Sequence, residues 1–237
     1  MPTQDELKAV AANEAARLVA DGMIVGLGSG STASLAVEAI GRRVAEGLSI
    51  TGVPTSQKTA ELASRLHIPL LTLDECDEID VTIDGADEVE RDTLNVIKGR
   101  GGALLREKLV ASATRKLVLI VDESKVVDRL CPEEQAIPVE IERFGWRGTA
   151  GRLTALGAKW TQRMTNDRQP FVTDGGHFIL DCTFPPFDAV EVDRLLNNVV
   201  GVVEHGLFIG MAKEVIVARN NGQDTTKSEI LHLRPSR

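Results

Sequence analysis

The feature that most limits how this chain can fold is an alternation of short apolar runs with longer amphipathic stretches. "MIVGLG" leads into "STASLAVEAIGRRVAEG", "SITGVP" into "TSQKTAELASRLH", and "IDVTIDG", "GGALLREKLVASA" and "KLVLIVDES" follow. Short apolar runs suit buried strands, and apolar positions recurring every three to four residues suit helices. Strand and helix in alternation imply a parallel sheet covered by helices, because parallel neighbours need a crossover between them. Ligands of such sheets collect at the carboxyl ends of the strands. A further helical pattern occupies residues 4–20, ahead of the first strand.

The pattern changes after Pro132. "AIPVEI", a helix near 146–157, "KWTQRM", "HFILDCTF", a helix near 188–198 and "VVEHGLF" read as a smaller α+β unit with antiparallel strands. "KEVIVAR" at 213–219 reads as a strand returning to the first sheet. The expected division is therefore residues 1–131 with 207–237 as the larger unit, and 132–206 as the smaller.

Composition narrows the partners. The chain has 237 residues, 43% hydrophobic, enough to bury the core this plan needs. A net charge of −8 with 3% aromatic residues gives neither the basic footprint nor the stacking platforms of a nucleic-acid binder. Cys76, Cys131 and Cys182 are odd in number and far apart, which suggests a reducing compartment. The opening "MPTQDELKAV" is polar and helical rather than signal-like, and no apolar run is long enough for a bilayer. A soluble cytoplasmic protein is expected, without a membrane partner.

Three motifs carry chemistry. The first is "VGLGSGSTAS" at 25–34, a glycine-rich turn between strand and helix, the usual seat of a phosphate. A dinucleotide fingerprint would put glycine where Ser31 stands and an acid at the end of the next strand, which ends instead in "TGVPTS". A nucleotide-binding P-loop would have lysine before its hydroxyl residue, and none is present. Ser29, Ser31 and Thr32 around Gly30 suit a small phosphate or a sugar; an ordinary tight turn is the alternative.

The second motif is "DVTIDGADEVE", where Asp84 and Asp87 bracket Gly85 and Ala86 at the end of a strand. Two crowded carboxylates can manage hydroxyl protons. A calcium loop starting at Asp80 fails because its twelfth position is Arg91. A solvated acidic loop remains the competing reading.

The third is "NVIKGRGGALLREK". Lys98 precedes Gly99, Gly101 and Gly102, a turn whose N–H groups can line an anion site. The following helix aligns Ala103, Glu107 and Val110, so Glu107 has apolar neighbours that raise its proton affinity toward that of a general base. An exposed Glu–Lys pair is the alternative. Lys125 in "DESKVV" also falls at the ligand end of the sheet. His67, His177, His205 and His232 have no metal spacing, the cysteines form no C-x-x-C pair, and tyrosine is absent. A metal-free, cofactor-free site of carboxylates and lysines is what remains.

Taken in order, "TQDELKAVA", "GLGSGSTA", "VTIDGADEV", "IKGRGGALLREK", "VDESK", "PVEI", "GRLTALGA", "VTDGGHFILD" and "GVVEHGLF" resemble the ribose-5-phosphate isomerase A family along nearly the whole chain. The resemblance implies interconversion of ribose 5-phosphate and ribulose 5-phosphate without metal or cofactor. It also implies a Rossmann-like domain, a smaller ferredoxin-like domain, and a homodimer or tetramer. It puts the substrate loop on Ser29, Gly30, Ser31 and Thr32, the acidic loop on Asp84, Gly85, Ala86 and Asp87, and the lysine loop on Lys98, Gly99, Arg100 and Gly101. The proton acceptor falls on Glu107, with further substrate contacts at Lys125 and Lys8. In that chemistry Glu107 carries a proton between C2 and C1 through a cis-enediolate, Lys98 meets the developing charge, and Asp84 moves hydroxyl protons and helps open the ring. Asp87 orients the substrate or acts as a second acid–base group. Ser29 stands where many relatives have threonine, Arg100 interrupts a glycine run, and "TDGGH" replaces "TDNGN". A sugar-phosphate sensor of related fold is the rival expectation, but it would not need Lys98 and Glu107 together.

Overall fold

The computed structural model describes residues 1–131, 135–186, 188–222, 224 and 227–235. Its first half runs α1 (Gln4–Ala16), β1 (Ile24–Leu27), α2 (Ser31–Ala45), β2 (Thr51–Pro54), α3 (Gln57–Arg65) and β3 (Ile79–Gly85). Two short strands, β4 (Glu88–Glu90) and β5 (Val96–Ile97), precede α4 (Leu104–Ser112), β6 (Thr114–Asp122) and β7 (Val126–Val127). Then come β8 (Ile137–Ile141), α5 (Trp146–Ala155), β9 (Lys159–Gln162), β10 (Phe178–Thr183), α6 (Ala189–Leu196) and β11 (Val202–His205). The chain closes with β12 (Leu207–Phe208), β13 (Ala212–Asn220) and β14 (Ser228–Leu233).

The main sheet has the order β14-β13-β6-β3-β1-β2, parallel throughout except for β14 at its edge. β6 explains why its sequence is an unbroken apolar run: both faces are covered. Val118 and Ile120 pack under α1 and α2 with Val25, Leu27 and Ile83. Leu117, Leu119 and Val121 face the other way, onto Val89, Val96 and Phe208 of the short strands. Each such fully buried aliphatic side chain is worth about 1.5–3 kcal/mol.

α1 begins with a capping box in which Glu6 N donates to Thr3 Oγ1 at 3.3 Å and Thr3 N donates to Glu6 Oε2 at 2.7 Å. The helix ends at Ala16, short of residue 20, because Arg43 of α2 takes the carbonyls of Ala16 and Val19 and turns the chain.

The second sheet has the order β11-β8-β10-β9, all antiparallel, and is laid down as β-α-β-β-α-β, the ferredoxin-like plan. The "VVEHGLF" run divides at Gly206. Its first part closes this sheet as β11, and its second, β12, joins a third small sheet of order β12-β5-β4-β7. No helix among the described residues is long and apolar enough to cross a membrane.

Candidate active site

The carboxyl ends of β1, β3 and β6 open into one cleft of about 690 Å³. β1 delivers Gly28 so close to β3 that a Cβ there would lie 2.6 Å from the Asp84 Cα, a space only glycine fits. Gly30 then adopts φ +90°, a conformation glycine takes without strain, and α2 starts at Ser31. No side chain caps that helix and its first turn holds no carboxylate, so the N-terminal N–H groups with Ser31 and Thr32 face the cleft as an anion seat. Ser29 Oγ joins a hydroxyl cluster with Thr55 Oγ1 at 2.6 Å and Ser56 Oγ at 2.9 Å.

Asp84, at the end of β3, is only 1% exposed and lies under the cleft floor rather than on its wall. Its Oδ1 accepts from Ser29 N at 3.0 Å and Gly85 N at 2.7 Å, and its Oδ2 stands 3.0 Å from Lys98 Nζ. Lys98 also donates to the Gly85 carbonyl at 2.5 Å and lies 3.3 Å from Glu107 Oε1. The second oxygen of Glu107 is buried without a hydrogen-bond partner. Glu107 gets there because α4 buries Leu104, Glu107 and Val110 on one face.

Charge follows from this crowding. Burial drives the Glu107 carboxyl above its ordinary value, reinforced by Asp84 and Asp87 and opposed by Lys98. Burial alone would lower the proton affinity of Lys98, but Asp84, Glu107 and Asp87 outweigh it and hold the ammonium above its usual value.

The cleft gathers the three sequence motifs. Ser29, Gly30, Ser31 and Thr32 line it, as do Gly85, Ala86, Asp87, Lys98, Gly99, Gly101 and Glu107, and so do Lys8 and Lys125. Lys125 is held there by a 3-10 turn whose cap, Asp122, accepts from Ser124 N at 3.1 Å and from Gln4 Nε2 at 3.2 Å. Arg100 is not on the wall. Its guanidinium turns to Glu88 and Gln135, while its backbone N–H donates to Asp87 Oδ2 at 2.9 Å. Among the described residues, no three His, Cys, Asp or Glu side chains gather as metal ligands.

Several lining residues escaped sequence reasoning: Ser56, Lys58 and Thr59 beyond β2, and Phe171, Val172 and Asp174 from the connection between β9 and β10. The last three belong to the "FVTDGGH" segment. Its base is fixed by buried Glu140, whose Oε1 accepts from Thr173 Oγ1 at 2.7 Å and lies 2.9 Å from His177 Nδ1. The tip reaches two helices, where Asp174 Oδ2 accepts from Gln57 N of α3 at 2.8 Å and sits 3.5 Å from Arg106 Nη1 of α4.

Comparison with known proteins identifies the family. The family model described as ribose 5-phosphate isomerase A (phosphoriboisomerase A) matches residues 51–222. A ribose-5-phosphate isomerase A from Synechococcus sp. (strain JA-3-3Ab) is 51% identical over 229 residues, 96% of this chain and 99% of the relative. The structure of ribose 5-phosphate isomerase A from Methanocaldococcus jannaschii superimposes with a TM-score of 0.88 at 39% identity, covering 97% of this chain and 99% of that one. A D-ribose-5-phosphate isomerase in complex with phospho-erythronic acid superimposes with a TM-score of 0.89 at 38% identity, with 97% and 99% covered. Alike in sequence across the stretches that build the cleft, and in backbone across both larger sheets, the chain belongs to the ribose 5-phosphate isomerase A family.

Proposed function

We propose that the protein interconverts D-ribose 5-phosphate and D-ribulose 5-phosphate, with Glu107 as the base that moves a proton between C2 and C1. The observation that carries this reading is the Glu107 carboxylate, buried on the cleft, near Lys98 at one oxygen and unpartnered at the other. A carboxylate short of hydrogen bonds and raised in proton affinity suits removal of a proton from carbon.

In the open-chain aldose, C1 carries the carbonyl and C2 the hydroxyl. Glu107 takes the C2 proton, the electron pair becomes the C1–C2 double bond, and O1 takes the negative charge of a cis-enediolate. The hydroxyl proton passes from O2 to O1. Glu107 then returns its proton to C1, and C2 becomes the ketone. Lys98 and the N–H groups of the glycine loop stabilise the charge on O1 and O2. Asp87, on the wall, is the carboxylate within reach of hydroxyl protons and of ring opening. The role expected of Asp84 narrows in this reading to holding Lys98 and the substrate loop. The open end of α2, with Ser31, Thr32, Lys8 and Lys125, takes the phosphate. No metal or cofactor enters the scheme; the working state is read as a homodimer or tetramer from the family resemblance, and as cytoplasmic from the composition.

The test is direct. Purified protein given ribose 5-phosphate in the presence of a chelator should form ribulose 5-phosphate at the rate seen without it. Activity lost to the chelator and restored by a divalent cation would overturn the mechanism, and no product under any condition would overturn the function.

A further inference from the structure

The loop that carries Lys98 is gripped from the second sheet. Arg163 directly follows β9, and Asp181 of β10 pairs with Thr161. Alternate residues of a strand share a face, so Arg163 and Asp181 project on the same side. Asp181 takes the guanidinium in a fork, accepting from Nε at 3.0 Å on Oδ2 and from Nη2 on Oδ1. Nη1 is thereby aimed at the lysine loop. It donates to the carbonyls of Gly99 at 2.8 Å and Arg100 at 3.0 Å.

Fixing a carbonyl fixes an amide, because in a planar trans peptide the C=O and N–H point opposite ways. The unit between Gly99 and Arg100 is held at both ends, its carbonyl by Arg163 and its N–H by Asp87 Oδ2. In the next unit Arg163 holds the Arg100 carbonyl, so the Gly101 N–H is turned away from the guanidinium. Gly101 lines the cleft and Arg100 does not, which is the alternation this clamp would impose.

We propose that Arg163 is a positioning residue for the isomerisation: braced by Asp181, it sets the lysine loop so that the Gly101 N–H meets the oxygen that gains charge beside Lys98. The proposal rests on the reading of the cleft as an isomerase site. Arg163 acts only through the loop. Donors aimed before the reaction starts need no reorganisation when charge develops, so loosening them costs rate rather than ground-state binding.

The experiment uses the full chain as wild type, Arg163→Met, Arg163→Lys and Asp181→Asn. For each, kcat and KM are measured with ribose 5-phosphate, together with the dissociation constant of phospho-erythronic acid, whose carboxylate stands in for the charged enediolate. Methionine keeps an unbranched apolar stem and donates nothing. Arg163→Met should lower kcat by roughly 10–10²-fold, as small displacements of reacting geometry do. KM should change by less than about threefold, while phospho-erythronic acid weakens by a factor similar to that in kcat. Arg163→Lys, which can reach one carbonyl, should recover part of both. Asp181→Asn keeps the volume and tests the same brace if the methionine variant fails to fold. Folded variants with wild-type kcat and wild-type analogue affinity would overturn the role of Arg163. A wild type unable to convert ribose 5-phosphate would instead overturn the isomerase reading beneath it.

Discussion

A single carboxylate concentrates the chemistry at the residue scale. Glutamine at 107 preserves shape and hydrogen-bonding reach but cannot accept a proton from carbon. Glu107→Gln should therefore lower kcat by roughly 10²–10⁴-fold while sugar phosphate still binds, and should abolish exchange of the C1 proton of ribulose 5-phosphate with deuterated water. Near-normal exchange, followed by NMR, would move the base elsewhere, most directly to Asp87. The pH profile gives an independent check. In the proposed mechanism Glu107 works ionised, and its carboxyl is raised above the ordinary value of 4.5, so the acid limb of kcat/KM should lie above that value. Asp84 is one of the negative charges that raise it. Replacing that charge in Asp84→Asn favours the ionised form of Glu107 and should shift the acid limb to lower pH, whatever happens to kcat. A limb that stays put, or moves up, would mean that another group controls it.

At the scale of elements, legibility in the sequence followed contiguity. The loop of Ser29, Gly30, Ser31 and Thr32 and the turn around Lys98 could be read because each lies within a few residues and sits at a strand end of a regular α/β alternation. Glu107 could be read because its helix has a period. The two- and three-residue strands β4, β5, β7 and β12 have no period to detect, so their small sheet was not foreseen, although the residue leading into β12 holds the lysine loop: Lys98 N donates to Gly206 O at 2.9 Å. Arg163 and Asp181 were invisible for a different reason. Arg163 meets Gly99 across 64 positions of sequence, and the register of β9 on β10 sets Asp181 beside it as a brace. What one element alone supplies can be isolated by mutation. In the proposed function the start of α2 meets the phosphate equally in ground and transition states, so Ser31→Ala should raise KM while kcat changes less than about twofold. A hydrogen bond to a charged group is worth about 1.5–3 kcal/mol, so a rise of tenfold or more is expected. A fall in kcat at constant KM would argue that this loop handles the reacting carbons.

Across the whole molecule, the cleft has walls from both larger sheets, so its width depends on how they are tied. One direct tie, beside the Arg163 clamp, is Asp174 of the β9–β10 connection, which accepts from Gln57 N, the first residue of α3, and faces Arg106 of α4. A carboxylate at a helix start is worth about 0.3–1 kcal/mol, and the half-exposed pair with Arg106 adds little because water screens it. Asp174 touches the cleft rim rather than the carboxylate and ammonium at its floor. Asp174→Ala should therefore let the "FVTDGGH" segment drift outward, raising KM roughly two- to fivefold, since RT ln of that factor spans the same range. Turnover at saturation should hold within about twofold, because Asp84 ends β3, Glu107 stands on α4 and Lys98 directly follows β5, none of them on that segment. Steady-state kinetics with ribose 5-phosphate, repeated at high salt, separate the parts. A KM difference that persists in salt belongs to the hydrogen bond to Gln57, and one that vanishes belongs to Arg106. A loss of kcat beyond tenfold with KM unchanged would show instead that the segment takes part in the chemical step.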